Sequence, residues 1–522
     1  MKKIFTLSAA IIFSVSVFSQ APAIQWQKSL GGTLGDFAYS IQQTTDGGYI
    51  VGGFSGSNDG DVTGNHGDFD YWITKLNSNG IIQWQKSLGG TSWEKALAVQ
   101  QTSDGGYIMS GYSNSNDSDV TGNHGLEDYW IVKLDTGGTI QWQKSLGGTA
   151  TEEAHSIHQT TDGGYIVIGP SWSSDGDVVG HHSPFYNDYW VVKLSSVGNI
   201  QWQKCLGGTG DDIGTYIIQT SDGGYIACGW AGSLDGDVTG NHGNVDYWIV
   251  KLNNSGTLQW QRSLGGTSAD YATSIHQTID GGYIVSGYTN SNDGDVAVNY
   301  GSSDCWIVKL DNTGVIQWQK SLGGSLIDKA NSIQQTIDGG YVVAGSSRSI
   351  DGDVTGNHGQ SDYWIVRLDN SGNIQWQKSL GGILGDEALS AQQTSDSGYI
   401  VAGFSWCNDG DVTGHHGTTS YPDFWIVKLY PDFPTSTNEN NFSSSITLFP
   451  TTVSNELKIE SGAMEIAALE IYDVVGVKCL TLNPSPKGEG LRIDVSSLAE
   501  GIYFVTVRDE QGNRVTKKFV KM

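Results

Sequence analysis

A carboxylate recurs at one position along the sequence, 10 residues after a repeated tryptophan. The seven members of this set are Asp36, Glu94, Glu152, Asp212, Asp270, Asp328 and Asp386. Acidic side chains at the same place in every repeat predict a negatively charged face that attracts cations or polar ligands. A pair of carboxylates can also hydrolyse a glycosidic bond. The set is too numerous for any one pair to be singled out, so it does not by itself indicate catalysis.

A second acidic signature, Asp-Gly-Asp, recurs in a long loop of most repeats. Three of these pairs are Asp59 with Asp61, Asp235 with Asp237, and Asp351 with Asp353. Carboxylates that flank a glycine offer hard oxygen ligands to calcium, which takes about six to eight oxygens in irregular geometry. Aspartate beside glycine is equally expected to close turns by accepting hydrogen bonds from the backbone. Both interpretations stay open, and no cofactor other than calcium is suggested.

Four tryptophans depart from the repeat pattern. Of the 18 in the sequence, 14 occupy repeated strand positions, and the others are Trp93, Trp172, Trp230 and Trp406. We expect all four on the face that carries the carboxylates, where they could stack on sugar rings or on an apolar partner. The alternative is that they cover contacts between repeats. The sequence has no nucleophile elbow, zinc-protease helix or phosphate-binding loop, so an enzyme is unsupported, although not excluded.

The elements that must position these residues are short strands in a long internal repeat. Seven Ile/Leu-Gln-Trp-Gln-Lys/Arg motifs are spaced by 58 residues five times and by 60 once. Each unit contains four strand signals separated by Gly or Asp turns, which predicts an all-β, seven-bladed β-propeller of about 58-residue, four-stranded repeats. The array begins at Ile24 with a fourth strand and ends at Leu429 with a third strand. The first fragment therefore completes the last blade by strand exchange and leaves no open edge.

Composition and boundaries indicate an exported protein. Residues 1–19 read as a signal peptide, and no later stretch is long and apolar enough to span a bilayer. The propeller is expected over 20–430, a linker over 431–445 and a separate domain over 446–522. A formal net charge of −27 argues against nucleic acid as a partner, because binding a phosphate backbone requires excess Lys and Arg.

Two loops are expected on one face of the propeller: the one after Leu30-Gly31-Gly32 and the long one after Tyr49-Ile50-Val51.

The last domain shows strand signals sufficient for a small β-sandwich. It carries Leu448-Phe449-Pro450, Ile471-Tyr472-Asp473, Gly501-Ile502-Tyr503-Phe504-Val505 and a terminal Lys518-Phe519-Val520-Lys521. With these marks it resembles the type A sorting domain of the type IX secretion system. The resemblance implies export by that machinery, removal of the domain, and either surface attachment through lipopolysaccharide or release. The repeats themselves resemble the Asp-Gly-Gly-Tyr units of Bacteroidetes surface proteins.

Two functions follow from these features. The favoured one is a non-enzymatic binding or adhesion module outside the cell, with a polysaccharide engaging the acidic, tryptophan-bearing face. The alternative is a secreted polysaccharide hydrolase. Both place the protein in the extracellular space or on the outer cell surface.

Overall fold

The computed structural model describes residues 20–432, 447–449, 452–460, 466–473, 478–482, 491–509 and 514–522. The predicted signal peptide and the predicted linker from residue 433 onward lie outside the described residues. Every regular element in the described part is a β-strand. None of it forms a helix able to cross a membrane.

Residues 24–429 form 28 strands, arranged as seven four-stranded antiparallel sheets. In chain order the strands are β1 (Ile24–Leu30), β2 (Asp36–Gln43), β3 (Tyr49–Ser55), β4 (Asp70–Leu76), β5 (Ile82–Leu88), β6 (Glu94–Gln101), β7 (Tyr107–Ser113), β8 (Asp128–Leu134), β9 (Ile140–Leu146), β10 (Ser156–Gln159), β11 (Tyr165–Ser171), β12 (Asp188–Leu194), β13 (Ile200–Leu206), β14 (Asp212–Gln219), β15 (Tyr225–Ala231), β16 (Asp246–Leu252), β17 (Leu258–Leu264), β18 (Asp270–Gln277), β19 (Tyr283–Thr289), β20 (Asp304–Leu310), β21 (Ile316–Leu322), β22 (Asp328–Gln335), β23 (Tyr341–Ser347), β24 (Asp362–Leu368), β25 (Ile374–Leu380), β26 (Asp386–Gln393), β27 (Tyr399–Ser405) and β28 (Asp423–Leu429). The first six blades each take four consecutive strands, starting at β2.

The seventh blade is built from both ends of the array. Its sheet order is β1-β28-β27-β26, and β1 pairs antiparallel with β28. Trp26 lies opposite Lys428, and Leu30 lies opposite Phe424. The seven-bladed propeller and its closure by strand exchange are therefore confirmed.

The seams between blades are packed with aromatic side chains from the third strand of each blade. All seven residues of β4 are buried, as they are in the third strand of every blade. The Tyr71 ring lies 4.5 Å from the Trp130 ring of the next blade, and its hydroxyl donates a hydrogen bond of 2.8 Å to the Trp130 carbonyl oxygen. Tyr129, Tyr189, Tyr247 and Tyr363 make the same bond across their own seams. The five seams with this bond thus combine apolar burial with a satisfied buried hydroxyl, while Cys305 and Phe424 take the place of the tyrosine in the other two blades.

The Asp-Gly-Gly-Tyr signature closes the turn between the first two strands in six blades, and Asp396-Ser397-Gly398-Tyr399 closes it in the seventh. Lys75 Nζ is buried and lies 2.9 Å from Asp46 Oδ2, and it also donates to the Leu76 carbonyl oxygen at 3.0 Å. Gly48 N donates to Asp46 Oδ1 at 3.0 Å. A lysine or arginine pairs with the turn aspartate in all seven blades. The turn is therefore fixed by an ion pair whose cation is inside the blade.

The C-terminal domain has two sheets that share one core. The strands are β29 (Thr447–Phe449), β30 (Thr452–Val453), β31 (Glu456–Glu460), β32 (Ile466–Asp473), β33 (Lys478–Leu482), β34 (Leu491–Asp494), β35 (Gly501–Asp509) and β36 (Arg514–Lys521). One sheet has the order β29-β31-β34 and the other the order β30-β36-β35-β32-β33. Leu457 and Ile493 of the first sheet pack in one cluster with Val505 and Phe519 of the second. The predicted small β-sandwich is confirmed.

Candidate functional site

The loops that the sequence places on one face do lie together. Asp36, at the start of an innermost strand, is opposite Ser55, at the end of the second strand, and Ser55 is opposite Asp70, at the start of the third. The loop into each innermost strand and the long loop after each second strand therefore meet at the same end of the blade. We call this end the upper face.

The seven repeated carboxylates do not form the exposed acidic surface expected from the sequence. Asp36, Glu94, Glu152, Asp212, Asp270, Asp328 and Asp386 are all 0% exposed. Asp36 Oδ2 accepts a hydrogen bond of 2.8 Å from Gly32 N and one of 3.1 Å from Ser57 Oγ, while Oδ1 accepts from Ser55 Oγ. The prediction of exposure is wrong because these carboxylates anchor the upper loops from below. The serines that recur two residues apart after the second strand are the signal that could have identified this role.

Each of these carboxylates faces a second buried aspartate across a blade seam. A Cβ atom added at Gly89 would lie 2.4 Å from Glu94 Oε2 and 2.7 Å from Asp70 Oδ1, so the two oxygens converge on the space that the glycine leaves open. The seven seam pairs are Asp36 with Asp423, Glu94 with Asp70, Glu152 with Asp128, Asp212 with Asp188, Asp270 with Asp246, Asp328 with Asp304, and Asp386 with Asp362. The Oδ1 atom of the third-strand aspartate in every pair lacks a hydrogen-bond partner among the described residues. Sequence reasoning missed these third-strand aspartates.

Burial dominates the titration of several seam carboxylates, of which Asp70 and Asp36 are examples. Desolvation raises the pKa of Asp70 to about 6, although hydrogen bonds from the His66 ring and backbone lower it. The charge of Glu94 adds to the rise. Desolvation likewise raises the pKa of Asp36 to about 7, with repulsion from Asp423 contributing. These carboxyls therefore retain protons at pH values at which exposed aspartates are ionised.

The Asp-Gly-Asp loops use their carboxylates to hold neighbouring backbone. Asp59 Oδ1 accepts a hydrogen bond of 2.7 Å from Thr33 N, and Asp59 Oδ2 accepts one of 2.9 Å from Thr33 Oγ1. Thr209 N donates to Asp235 at 2.7 Å, and Ser325 N donates to Asp351 at 2.7 Å. The second aspartate of each Asp-Gly-Asp loop accepts a longer hydrogen bond. One carboxylate oxygen of Asp61, of Asp237 and of Asp353 lies 3.3 to 3.4 Å from a glycine backbone nitrogen. Within the described residues no three His, Cys, Asp or Glu side chains are arranged to hold a metal ion. Calcium binding stays a prediction.

The four non-repeating tryptophans lie at or near the upper face but in different surroundings. Trp93 is 44% exposed and Trp172 is 47% exposed, whereas Trp230 and Trp406 are half-buried. Trp93 Nε1 donates a hydrogen bond of 2.9 Å to Asp68 Oδ2. Trp230 lies within β15 rather than in the loop after it. The structure therefore does not gather the four tryptophans into one cluster.

Two of them are the ends of a continuous row of aromatic rings. We call this row the aromatic ridge; its members are Trp406, Phe404, Phe37, Phe54, Phe69 and Trp93. Successive ring centroids are 5.0, 5.1, 4.9, 5.5 and 6.1 Å apart. The ridge crosses the seventh, first and second blades. Trp230 belongs to a smaller group, with its ring 5.5 Å from Tyr271, which is stacked on Tyr288 at 4.9 Å.

A central channel, which sequence reasoning missed, opens among the innermost strands. It encloses about 520 Å³. A β-bulge between Ala38 and Ser40 leaves Tyr39 unpaired and aims it into the channel, breaking the alternation of a regular strand. The equivalent position carries five residue types in the seven blades: Tyr39, Leu97, His155, Thr215, Thr273, Asn331 and Leu389. The repeat therefore does not fix the side chains at this position of the channel wall.

Charged groups stand beside the aromatic rings near the upper end of the channel. Lys95 Nζ lies 5.0 Å from the centroid of the Trp93 ring, 5.3 Å from Phe54 and 5.8 Å from Tyr112. Lys329 Nζ lies 4.6 Å from the centroid of the Tyr288 ring. Both are cation–π distances. The ridge and the smaller aromatic group are each accompanied by one such lysine.

Two histidines and a tyrosine from neighbouring blades line the lower half of the channel. The Tyr216 ring lies 5.2 Å from the His158 ring and 5.3 Å from the His276 ring. Burial, together with the charge of His276, lowers the pKa of His158 to about 3, and burial lowers that of His276 to about 4. Both imidazoles are therefore neutral near pH 7 and offer polar, uncharged contacts to a channel ligand.

Comparison with known proteins identifies the family of the C-terminal domain. Residues 447–522 match the family model described as a secretion system C-terminal sorting domain. Over 423 residues the chain is 23% identical to the regulatory protein FlaEY of Caulobacter vibrioides; this match covers 72% of the chain and 43% of that protein, so the chain spans less than half the length of this relative. Among solved structures, the extracellular domain of a hybrid two-component system of B. thetaiotaomicron has 10% identity and a TM-score of 0.41, over 96% of this chain and 59% of that one. A puromycin hydrolase has 12% identity and a TM-score of 0.41, and the match covers 74% of this chain and 53% of that one.

The fold and the sorting domain together define the class. The chain is a β-propeller joined to a C-terminal sorting domain of the type IX secretion system, as its terminal motifs predict. The protein is therefore secreted or displayed on the cell surface, and the secretion machinery is its partner during export.

Proposed function

We propose that the protein is an extracellular binding module that recognises polysaccharide at the upper end of its central channel. The observation that carries the proposal is the aromatic ridge, which presents the exposed Trp93 and the partly exposed Trp406, Phe37 and Phe69 at the mouth of a polar channel, while Phe54 and Phe404 are buried between them. Accessible ring faces beside a polar channel suit sugar rings, which pack their C–H faces on aromatic side chains. Tyr39 connects the two surfaces, since its ring lies 5.5 Å from Phe54 of the ridge and its side chain lines the channel.

The channel supplies the hydrogen-bonding groups that a sugar requires. Gln42, Gln100, Asn331 and His155 are among its lining residues. Amides and imidazoles both donate and accept, so they can satisfy hydroxyl groups in either sense. A few such groups in an otherwise apolar and aromatic site fix the orientation of a ligand.

Binding is better supported than hydrolysis. A glycosidase needs two carboxylates placed across the scissile bond. Glu387 stands at the channel mouth, and among the described residues that line the channel itself the single carboxylate is Glu153. Its pKa is lowered overall: desolvation raises it, but a hydrogen bond from His155 and the charges of His155 and Lys95 outweigh that effect. A carboxyl with a lowered pKa is a poor proton donor to a leaving group at neutral pH.

The test is a glycan screen of the full chain, followed by titration calorimetry on each glycan that binds. We expect Trp93→Ala and Trp406→Ala each to weaken binding by about tenfold or more, since aromatic anchors dominate the binding energy of such sites. Phe185→Ala is the control, because Phe185 is an exposed ring in an upper-face loop outside the ridge. No binding to any glycan, or equal losses in all three variants, would refute the proposal. Release of reducing ends at enzymatic turnover would instead establish the hydrolase.

A further inference from the structure

The charges near the channel mouth carry information about the ligand. One position of the innermost strand, next to the first carboxylate, holds Phe37, Lys95, Glu153, Ile213, Tyr271, Lys329 and Glu387 in the seven blades. Two lysines and two glutamates thus occupy four of the seven positions, and aromatic or aliphatic side chains occupy the other three. The inference below rests on the proposed function and concerns the class of glycan bound.

The two glutamates already have polar partners in the protein. His155 Nε2 lies 3.4 Å from Glu153 Oε2. Asn331 Nδ2 donates a hydrogen bond of 3.2 Å to Glu387 Oε1. Their acceptor oxygens are therefore in part occupied by neighbouring side chains.

The two lysines differ from the glutamates in this respect. Their ammonium groups contact ring faces, Lys95 those of Phe54, Trp93 and Tyr112, and Lys329 that of Tyr288. Neither ammonium has a hydrogen-bond acceptor or a carboxylate at ion-pair distance anywhere in the described part of the chain. An ammonium has three donors, and ring faces compensate its charge without satisfying those donors. The two ammonium groups thus lack a protein hydrogen-bond partner within the described residues, although the charges of Lys95 and Glu153 interact at longer range.

Their position matches an anionic substituent on a stacked sugar. A sugar packed on Trp93 would hold its ring substituents within reach of Lys95, whose Nζ lies 5.0 Å from the same indole. The molecule as a whole carries a net charge of −27, which repels polyanions at long range. Attraction of an acidic sugar must therefore come from these short-range contacts.

We propose that the preferred ligand is an acidic glycan, whose carboxylate or sulfate groups accept hydrogen bonds from Lys95 on the ridge side and Lys329 on the opposite side of the mouth. Carboxylate and sulfate share the required chemistry, a compact anion on a sugar ring. Charge-assisted hydrogen bonds of this kind are the stronger ones in proteins.

The experiment compares matched short oligosaccharides by titration calorimetry on the full chain. The pairs are an oligogalacturonate with its methyl ester, and a sulfated galactan fragment with its desulfated form. We expect the acidic member of one pair to bind about tenfold more tightly, the effect of one hydrogen bond to a charged group. Lys95→Met should weaken binding of the acidic member about tenfold more than binding of the neutral member and so remove the preference, whereas Lys95→Arg should retain it.

Lys86→Met serves as the control, because it removes the same charge from an exposed position on an outer strand. Lys329→Met tests the second cation independently of the ridge. Equal affinity for acidic and neutral members, or a preference that survives both Lys95→Met and Lys329→Met, would overturn the inference and leave the proposed function standing. Absence of glycan binding altogether would instead reject the proposed function.

Discussion

The seam pairs should make the folded propeller less stable as the pH rises from mildly acidic to neutral. Asp36 illustrates the effect, because burial raises its pKa from 3.8 to about 7. Hydrogen bonds from Ser55, Gly32 and Ser57 oppose this rise, and repulsion from Asp423 adds to it. Between these two pH values the folded protein holds a proton on Asp36 that the unfolded chain has released.

The sign follows from proton linkage. The folded-state pKa is raised, so the stability that Asp36 contributes is fully present below pH 3.8 and is lost as pH rises through about 7. A tenfold change in proton affinity is worth about 1.4 kcal/mol, so this carboxyl alone changes the free energy of unfolding by about 4 kcal/mol across that range. The pKa of Asp212 and that of Asp386 are also raised to about 6, chiefly by burial.

The turn aspartates act in the opposite direction at lower pH. Desolvation raises the pKa of Asp46, but hydrogen bonds from Thr44, Lys75 and Gly48 outweigh it and lower the pKa to about 2. This lowered folded-state pKa contributes stability that is present above pH 3.8 and is lost as pH falls through about 2. We therefore expect the melting temperature to be highest near pH 4.

Scanning calorimetry of the full chain between pH 3 and 8 measures this dependence. Repeating it near pH 6 in buffers of different ionisation enthalpy should reveal protons released on unfolding. Asp36→Asn should make the pH dependence shallower. A melting temperature that rises steadily from pH 4 to 8, or unfolding without proton release, would refute the reasoning.

Three further predictions concern the seams, the loops and export. Phe424→Tyr should raise the free energy of unfolding, measured by chemical denaturation, by about 1 kcal/mol, because it adds the seam hydrogen bond that five blades have. Tyr71→Phe removes such a bond and should lower the free energy of unfolding by about as much. Destabilisation by Phe424→Tyr, or stabilisation by Tyr71→Phe, would contradict this role. Because both oxygens of Asp59 accept bonds from the adjacent loop, millimolar calcium should leave the melting temperature unchanged; a rise that Asp59→Asn abolishes would establish a calcium site. Deleting 446–522 should leave a folded propeller in the periplasm, and its continued appearance outside the cell would contradict the sorting assignment.

The fold was predictable because each sequence repeat corresponds to one four-stranded sheet. Trp26 and its six equivalents set the number of sheets, and the two incomplete ends of the array predict the shared seventh blade. The C-terminal sandwich was predictable from its own strand signals and motifs, including Leu457 in its core.

The site was less predictable, for two physical reasons. A residue type that repeats in every blade is generally needed for the structure of the blade. Asp36 is accordingly a buried carboxylate that holds a loop through hydrogen bonds, not an exposed acidic group. The wall of the channel depends on a β-bulge, which turns the Tyr39 side chain into the channel. The bulge breaks the alternation of inward and outward side chains from which strand faces are predicted. Ring-to-ring proximity across blades, as between Phe37 and Phe404, also follows from closure rather than from sequence spacing.

Closure by β1 also determines the order in which the propeller can be completed. Six sheets are each formed from contiguous chain, so each can assemble from local hairpins as soon as its four strands exist. The seventh must bring Ile24 to Leu429, the strand pairing of longest sequence separation in the ring, and is expected to form last. At this seam the ring can open only if β1 separates from β28. Local opening there would bare the edge of β28 to pairing with another chain, so the first strand also protects the protein from aggregation.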